Sequence, residues 1–161
     1  MSGFDRSAFQ TARKGHCYED FEPGRCFAHV FGRTLTEGDA VLFSTATLAY
    51  TPMYLDSVRA AAAGHPSIVV NPMLVLTTVF GLSVEDLSEG GGLFLGMDEV
   101  RFLASVYPGD TLMARSTVVD RRESDSRPTM GIVTWHTEGS NQRHEVVIEF
   151  RRTNLVMKRV G

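Results

Sequence analysis

The spacing of hydrophobic residues changes along this chain from a helical period to an alternating one. Between residues 72 and 82, apolar side chains cover most of the circumference of a predicted helix, which must therefore be buried on nearly all sides. Further on, segments rich in Val, Ile, Thr and Phe predict four long strands, at 93–105, 111–119, 130–137 and 145–157. One buried helix followed by a run of antiparallel strands predicts an α+β domain, in which a curved antiparallel sheet wraps around a central helix.

The first third of the chain predicts a short strand and a capped helix. Residues 26–31 are largely apolar and are predicted as a strand. Thr36, with Asp39 three residues on, predicts a helix start, because the hydroxyl accepts a hydrogen bond from the first turn. This helix is expected to run to about residue 48 and to be stopped by Pro52.

The buried helix has a clear start signal. Asn71 is a good N-cap, and Pro72 suits the first helical position, where its missing N–H has no intrahelical partner to lose. A short helix is predicted before it, over 56–63. The glycines at 90–92 are predicted to be a connector and not a phosphate-binding loop, because no helix follows them directly.

Composition favours one domain without a nucleic-acid or membrane partner. A chain of 161 residues with 43% apolar residues predicts a single domain over 1–161, with a lead-in segment at 1–17. Its net charge is −3, which gives no electrostatic reason to expect nucleic acid. The chain begins without a basic and apolar leader and has no run of about eighteen apolar residues, which predicts a soluble cytoplasmic protein.

The two cysteines do not predict a metal site. Cys17 and Cys26 are nine residues apart and could join His16 and His29 as ligands, but zinc sites usually contain closer Cys-x-x-Cys pairs. Two reduced thiols are therefore favoured, with no metal and no cofactor.

A short motif connects the chain to a known family. Residues 48–56 read Leu-Ala-Tyr-Thr-Pro-Met-Tyr-Leu-Asp, and Asn-Pro-Met follows at 71–73. This region resembles the active site of MaoC-type acyl-CoA hydratases, which read Asp-x-Asn-Pro-x-His-x-Asp and place a Gly eighteen residues after the His. Counted without gaps, the family positions fall on Ala49, Thr51, Pro52, Tyr54, Asp56 and Pro72. The frame of the motif is present, but its catalytic positions carry other residues.

Further segments extend the resemblance over residues 18–159, and they look most like the subgroup that contains mesaconyl-CoA hydratase, also called β-methylmalyl-CoA dehydratase. These segments are 32–39, 80–84, 95–102, 106–112, 124–128 and 150–153. The resemblance implies a single hot-dog domain that forms a homodimer, with an acyl-CoA thioester near the interface. It also implies that an Asp and a His act on water while a helix N-terminus polarises the thioester carbonyl. We also expect the late strands to leave a long apolar sheet edge, which favours a dimer independently.

Three positions depart from that chemistry. Ala49 has no group that can transfer a proton, and the phenol of Tyr54 donates a hydrogen bond far more readily than it accepts a proton at neutral pH. Pro72 has no N–H at the position of the oxyanion-binding Gly. The N–H of Met73 is the substitute donor, provided that Asn71 does not already accept a hydrogen bond from it.

The other candidates each have a functional and a structural interpretation. Tyr54 is either a catalytic acid or a half-buried tyrosine with a satisfied hydroxyl. His65 lies in a turn near the expected pocket entrance and is either a replacement base or a solvated loop residue. Asp56 is favoured as the cap of the short helix over a catalytic role. Asn71 is expected to be both cap and pocket wall, while the Thr51 hydroxyl either enters the pocket or supports the turn.

Three functions are compatible with these residues. The first is a hydratase or dehydratase that acts on a short or branched acyl-CoA or acyl-carrier thioester, dicarboxylic acyl groups included, through a non-standard site. The second is a non-catalytic acyl-thioester-binding or regulatory hot-dog subunit, and the third is thioester hydrolysis or a biosynthetic cyclisation in the same pocket. The catalytic candidates are Tyr54, Asn71 and His65, and the substrate-binding candidates are Thr51, Asp56, Pro72 and Met73.

Overall fold

The computed structural model describes residues 14–159, so most of the lead-in expected at 1–17 lies outside the described residues. The helices are α1 (Glu37–Ala46), α2 (Pro52–Leu55), α3 (Ser57–Ala62), α4 (Pro72–Leu82) and α5 (Val84–Leu87). The strands are β1 (Cys26–Ala28), β2 (Arg33–Thr34), β3 (Gly92–Phe102), β4 (Thr111–Glu123), β5 (Met130–Ser140) and β6 (Val146–Met157). The α+β class and the four long strands predicted from the alternating pattern are confirmed.

All strands belong to an antiparallel arrangement with the order β1-β4-β5-β6-β3, and β2 pairs with the N-terminal end of β4. Two antiparallel hairpins connect β4, β5 and β6. Strand β3 does not pair with β4, its neighbour in sequence, but with β6. The expectation that the late strands form the exposed edge is therefore wrong, because β3 covers β6 and is itself one of the two edges of the sheet within the described residues.

Helix α4 packs one face against this sheet. Its buried residues Val75 and Val79 join a core that includes Leu35, Leu112, Val147, Ile148 and Phe150. The helix and the sheet lie very close at Gly139 in β5, where an added Cβ would be 2.5 Å from the Val79 side chain. A glycine is needed at this point of the sheet for the helix to lie so close. A second cluster of buried side chains contains Phe21, Phe27, Leu87, Val118, Val133, Trp135 and Val156.

The opposite face of α4 is not covered by any of the described residues 14–159. Met73 is 50% exposed, and Thr77 and Gly81, four and eight residues further on, are exposed as well. Residues at this spacing form one stripe along a helix. The prediction that α4 is buried on nearly all sides is therefore wrong for one chain, because its own sheet covers only one side.

The N-cap predicted at Thr36 is confirmed, but the end of α1 differs from the expectation. The side chains and backbone N–H groups of Thr36 and Asp39 bond reciprocally. The helix ends at Ala46, because Leu48 takes a left-handed conformation with φ of 57° and the N–H of Ala49 donates to Ser44 O. Pro52 does not stop α1 but begins α2.

Two other boundaries shift. The strand predicted over 26–31 ends at Ala28, and Val30 and Phe31 are exposed. Strand β5 continues to Ser140, three residues beyond its predicted end at 137, and the turn to β6 lies at 141–145. The buried side chain of Asn141 closes this turn by accepting hydrogen bonds from the N–H groups of Arg143 and Glu145.

Candidate active site at the start of helix α4

A cavity of about 260 Å³ lies beside the N-terminal end of α4. A backbone hydrogen bond of 2.9 Å from Val70 N–H to Val106 O ties together the two segments that flank it. The lining residues are Val69, Val70, Pro72, Val75, Phe102, Leu103, Ala104, Ser105 and Val106. The only polar side chain in this lining is Ser105, so the cavity is suited to an apolar group.

The backbone donors at the start of α4 are already used. Asn71 is 5% exposed, and its Oδ1 accepts a hydrogen bond of 2.9 Å from Met73 N–H. Its carbonyl oxygen accepts from the N–H groups of Leu74 and Val75, at 2.9 and 3.3 Å. Pro72 has no N–H. The condition under which Met73 N–H could bind a thioester oxygen is therefore not met in this conformation.

The same contact leaves the other end of the Asn71 amide available. Because Oδ1 must face the Met73 N–H, the orientation of the amide is fixed and Nδ2 points the other way. Within residues 14–159, Nδ2 has no hydrogen-bond acceptor, and it is not among the fully enclosed polar atoms that lack one. A side-chain N–H donor is thus available at the positive end of the α4 dipole.

The motif loop lies against the cavity wall through its backbone. Val69 N–H donates to Met53 O at 2.8 Å, which ties α2 to a segment that lines the cavity. Tyr54, the next residue in α2, is half-buried, and its hydroxyl has no hydrogen-bond partner among residues 14–159. Thr51 precedes α2 and is exposed, and its side chain makes no capping bond. Ala49 is fixed by its bond to Ser44 O.

Asp56 is a helix cap. Its Oδ1 accepts hydrogen bonds of 3.0 Å from the N–H groups of both Val58 and Arg59 at the start of α3. This is the structural one of the two interpretations given by the sequence. The other oxygen, Oδ2, lies 3.9 Å from Arg59 Nε.

His65 is paired with a residue that the sequence reading did not single out. Its Nδ1 lies 2.9 Å from the hydroxyl oxygen of Tyr107, and both side chains are half-buried. Tyr107 directly follows Val106, which lines the cavity. Neither member of the pair lines the cavity, but Tyr107 adjoins its wall in the chain, and a histidine bonded to a phenol can transfer a proton. The one sequence feature that marks Tyr107 is the turn motif Tyr-Pro-Gly-Asp at 107–110, which Tyr107 begins.

The Tyr107 loop is held by a buried carboxylate. Asp110 is 5% exposed, and its Oδ2 accepts from Tyr107 N–H at 3.0 Å, while its Oδ1 accepts from Gln142 and Arg143 at 2.7 and 3.1 Å. Burial alone would raise the pKa of Asp110, but these hydrogen bonds and the Arg143 charge together hold this pKa below its ordinary value. Asp110 therefore remains ionised and fixes the position of the loop.

The sequence candidates are not all gathered at one point. Pro72 is the only one of them that lines the cavity, and Asn71 and Met73 flank it in the chain. Tyr54 is connected to the cavity wall through its neighbour Met53, and His65 through Tyr107. No hydrogen bond joins these side chains to one another within residues 14–159.

Two buried polar clusters lie away from this cavity. Arg152 is almost fully buried and donates to Ser83, Ser88 and Asn154, with its guanidinium 4.2 Å from the centre of the Phe80 ring. Burial lowers the pKa of Arg152 to about 10. This cation lies at the C-terminal end of α4, where it is attracted to the negative end of the helix dipole. The contact stabilises this end of the helix.

The second cluster has the residue types of a hydrolase triad but is closed to solvent. His29 Nδ1 lies 2.6 Å from Asp86 Oδ2, and His29 Nε2 lies 2.9 Å from Ser116 Oγ, which also contacts Thr137 Oγ1. Ser116 is 1% exposed, so no substrate reaches its hydroxyl. The cluster instead ties α5 to the sheet. Within residues 14–159 no group of three or more His, Cys, Asp or Glu side chains is arranged to hold a metal ion, and no helix is long and apolar enough to span a membrane.

Comparison with known proteins gives a consistent result. The chain matches the mesaconyl-CoA hydratase family over residues 2–161. It is 41% identical over 150 residues to a mesaconyl-CoA hydratase of Haloarcula hispanica, covering 92% of this chain and 42% of that protein. It is 37% identical over 145 residues to a β-methylmalyl-CoA dehydratase of Chloroflexus aurantiacus, covering 90% and 41%. The chain therefore spans less than half the length of these curated relatives.

Solved structures agree on the fold. A monoamine oxidase regulatory protein of Archaeoglobus superposes with a TM-score of 0.79 and 28% identity, over 94% of this chain and all of that one. A Mycobacterium tuberculosis protein with a double hot-dog fold gives a TM-score of 0.77 and 25% identity, over 90% of this chain and 45% of that one. One hot-dog unit of that protein thus corresponds to about nine-tenths of this chain. The chain belongs to the mesaconyl-CoA hydratase family, and its fold is the MaoC-like hot-dog fold.

Proposed function

We propose that this chain binds a short acyl-CoA thioester beside α4 and acts as a hydratase or dehydratase through a non-standard site. The observation that carries the proposal is the juxtaposition of the 260 Å³ apolar cavity with a helix start that presents the Asn71 amide. The relatives named above carry the names of CoA-thioester enzymes, which supports a thioester as the ligand.

The proposed roles follow from what each group can donate. Asn71 Nδ2 donates to the thioester oxygen, and the α4 dipole adds a partial positive charge there, so both polarise the conjugated double bond. In hydration, water oxygen then adds to the β-carbon and a proton to the α-carbon. Tyr54 is the proposed proton donor, working with water. The His65–Tyr107 pair is the candidate for accepting the proton that water releases.

A second candidate function is that of a binding or regulatory half in a pair of hot-dog units. One observation favours it: no carboxylate among residues 14–159 lines the cavity. The surface also has a region that a partner could cover, because strand β3 exposes several apolar side chains. These residues are called the apolar edge: Leu93, Phe94, Leu95, Val100 and Phe102. An unpaired edge of this kind is a liability unless it is covered.

For the partner we propose a second copy of this chain. The apolar edge and the exposed stripe of α4 belong to the same chain, so a symmetric dimer can bury both kinds of surface twice. Light scattering at micromolar concentration should give the mass of a dimer. A stable monomer that becomes dimeric only when a different hot-dog chain is added would support the second candidate function instead.

The test of the proposed function is calorimetric titration with a panel of acyl-CoA thioesters, followed by assays of turnover. Saturable binding with loss of the enoyl-thioester absorbance indicates a hydratase, whereas binding without turnover indicates the binding subunit. Release of free CoA thiol indicates thioester hydrolysis. Absence of binding to every thioester in the panel would contradict the proposal.

Two variants assign the proton-transfer groups. Tyr54→Phe removes only a hydroxyl that has no partner within residues 14–159, so it should leave the fold intact and lower kcat by roughly 10²-fold. His65→Ala should have a smaller effect. Unchanged turnover of the Phe variant would place Tyr54 among the structural residues.

A further inference from the structure

A series of hydrogen bonds joins the turn between β5 and β6 to His65. We infer that Gln142 in this turn is a positioning residue, which sets the orientation of the His65 ring through Asp110 and Tyr107. This inference rests on the proposed function, in which the His65–Tyr107 pair accepts the proton that water releases. It adds to that function the part of the fold that holds the pair in place.

The amide of Gln142 is engaged at both ends. Its Nε2 donates to Asp110 Oδ1 at 2.7 Å, and its Oε1 accepts from Thr111 N–H at 3.0 Å. The orientation of the amide is therefore fixed, because a carboxylate can only accept a hydrogen bond and a backbone N–H can only donate one. Asp110 and Thr111, where β4 begins, thus hold a side chain of the β5–β6 turn by both of its polar atoms.

Asp110 passes this contact on to the backbone of Tyr107. Asp110 Oδ2 accepts from Tyr107 N–H at 3.0 Å, and Asp110 N–H donates to Tyr107 O at 3.0 Å. Asp110 is 5% exposed, so solvent has little access to replace a lost donor on its carboxylate. An ionised carboxylate that loses a buried donor moves towards water or another donor. A change at Gln142 is therefore expected to displace the Tyr107 backbone.

The last contact of the series is the one between Tyr107 and His65. The backbone of His65 is fixed independently, because its N–H donates to Ala60 O at 3.0 Å at the end of α3. The orientation of the ring is the freedom that remains, and the Tyr107 hydroxyl, 2.9 Å from Nδ1, restricts it. With Nδ1 engaged, Nε2 is the ring nitrogen that has no hydrogen-bond partner within residues 14–159. Displacement of Tyr107 releases the ring and misplaces this nitrogen.

Gln142→Glu tests the first contact with little change in shape. The substitution replaces the NH2 group that faces Asp110 by a carboxylate oxygen, so that two like charges meet. The readout is the nitrogen resonances of the His65 ring, measured by NMR on isotope-labelled histidine and assigned by their absence from His65→Ala. Gln142→Glu should shift these resonances, and Tyr107→Phe, which removes only the last contact, should shift them as well. The buried ring of His29 belongs to another cluster and should not change, so it is the internal control.

Adding Asp110→Asn to Gln142→Glu exchanges the roles of the two side chains. The amide introduced by Asp110→Asn can donate to the carboxylate introduced by Gln142→Glu and still accept from Tyr107 N–H. The double variant should therefore recover the wild-type resonances of His65. Turnover should follow the resonances: Gln142→Glu should lower kcat roughly 10-fold or more with the affinity for the thioester within about 2-fold of wild type, and the double variant should regain most of the loss.

The possible outcomes separate this inference from the proposed function. Wild-type His65 resonances in Gln142→Glu would overturn the inference and leave the proposed function standing. A double variant that keeps the displaced resonances would overturn it too, because the ring would then respond to the added charge and not to the contact with Asp110. Displaced resonances with unchanged turnover would show that the ring is not part of the site. If the wild-type chain turns over no thioester, the proposed function fails, and the resonances still decide whether the turn positions His65.

Discussion

Replacing Asn71 by serine separates the two roles that its amide is proposed to have. A serine hydroxyl can still accept the hydrogen bond of Met73 N–H, and Ser and Asn are nearly equal as N-caps. The free energy of unfolding should therefore change by no more than about 0.5 kcal/mol. The substitution removes Nδ2, however, and the loss of one donor to a developing oxyanion costs about 10²–10³-fold in kcat.

Asn71→Ala is the informative companion, because it changes both roles. Loss of the cap should cost about 1 kcal/mol of stability. It also releases the Met73 N–H, which becomes available to a thioester oxygen at the start of α4. We therefore expect the Ala variant to be less stable than the Ser variant and yet more active. This order would also assign a latent binding role to Met73.

Both quantities can be measured directly. Trp135 is the only tryptophan and is fully buried, so its fluorescence reports unfolding in urea. Turnover is followed by the enoyl-thioester absorbance, and in a chain without turnover the affinity for the thioester relative to CoA replaces kcat. A Ser variant with wild-type stability and wild-type turnover would refute the role of Nδ2. A Ser variant that is strongly destabilised would refute the capping argument.

Three further outcomes are expected. Asp110→Asn should lower the free energy of unfolding at neutral pH by about 2 kcal/mol, and the exposed control Asp120→Asn should change it by less than about 0.5 kcal/mol. Because the folded pKa of Asp110 lies below its unfolded value, its contribution is present above about pH 4 and is lost as the pH falls through the folded pKa, so the difference between wild type and the Asn variant should close in acid. The triple variant Ala49→Asp, Tyr54→His and Pro72→Gly should hydrate crotonyl-CoA, which the wild type should turn over very slowly. Each single replacement should do little, because residues that act as one unit are strongly non-additive; brisk wild-type turnover would contradict this account of the three positions.

The elements predicted correctly are those specified by neighbours in the chain. The cap formed by Thr36 and Asp39 and the helix start at Asn71 and Pro72 depend on side chains within three residues of their partners, so the sequence contains the whole signal. The strands follow from the alternation of side chains that one buried face imposes.

The features that were missed depend on distant contacts or on unusual backbone conformations. His65 and Tyr107 are 42 residues apart, and Arg152 and Ser83 are 69 apart, so no local pattern connects them. The early end of α1 depends on a left-handed Leu48, a conformation that the sequence does not signal because glycine or asparagine normally occupies it. The exposed face of α4 was missed for a third reason: apolar residues on all sides of a helix predict burial, but not whether the cover comes from the same chain.

The changed positions of the motif affect binding and proton transfer differently. Pro72 removes a backbone donor, but the α4 dipole arises from all eleven residues of the helix and is retained, and the Asn71 amide supplies a donor at the adjoining position. Ala49 and Tyr54, by contrast, replace the groups that would act on water. The proposed polarisation of a thioester is therefore compatible with either candidate function, and Tyr54 is the residue that separates them. If Tyr54→Phe keeps its affinity for the thioester and loses turnover, the chain is an enzyme. If the wild-type chain binds the thioester without turnover, and Asn71→Ser loses that affinity, the chain is a binding subunit.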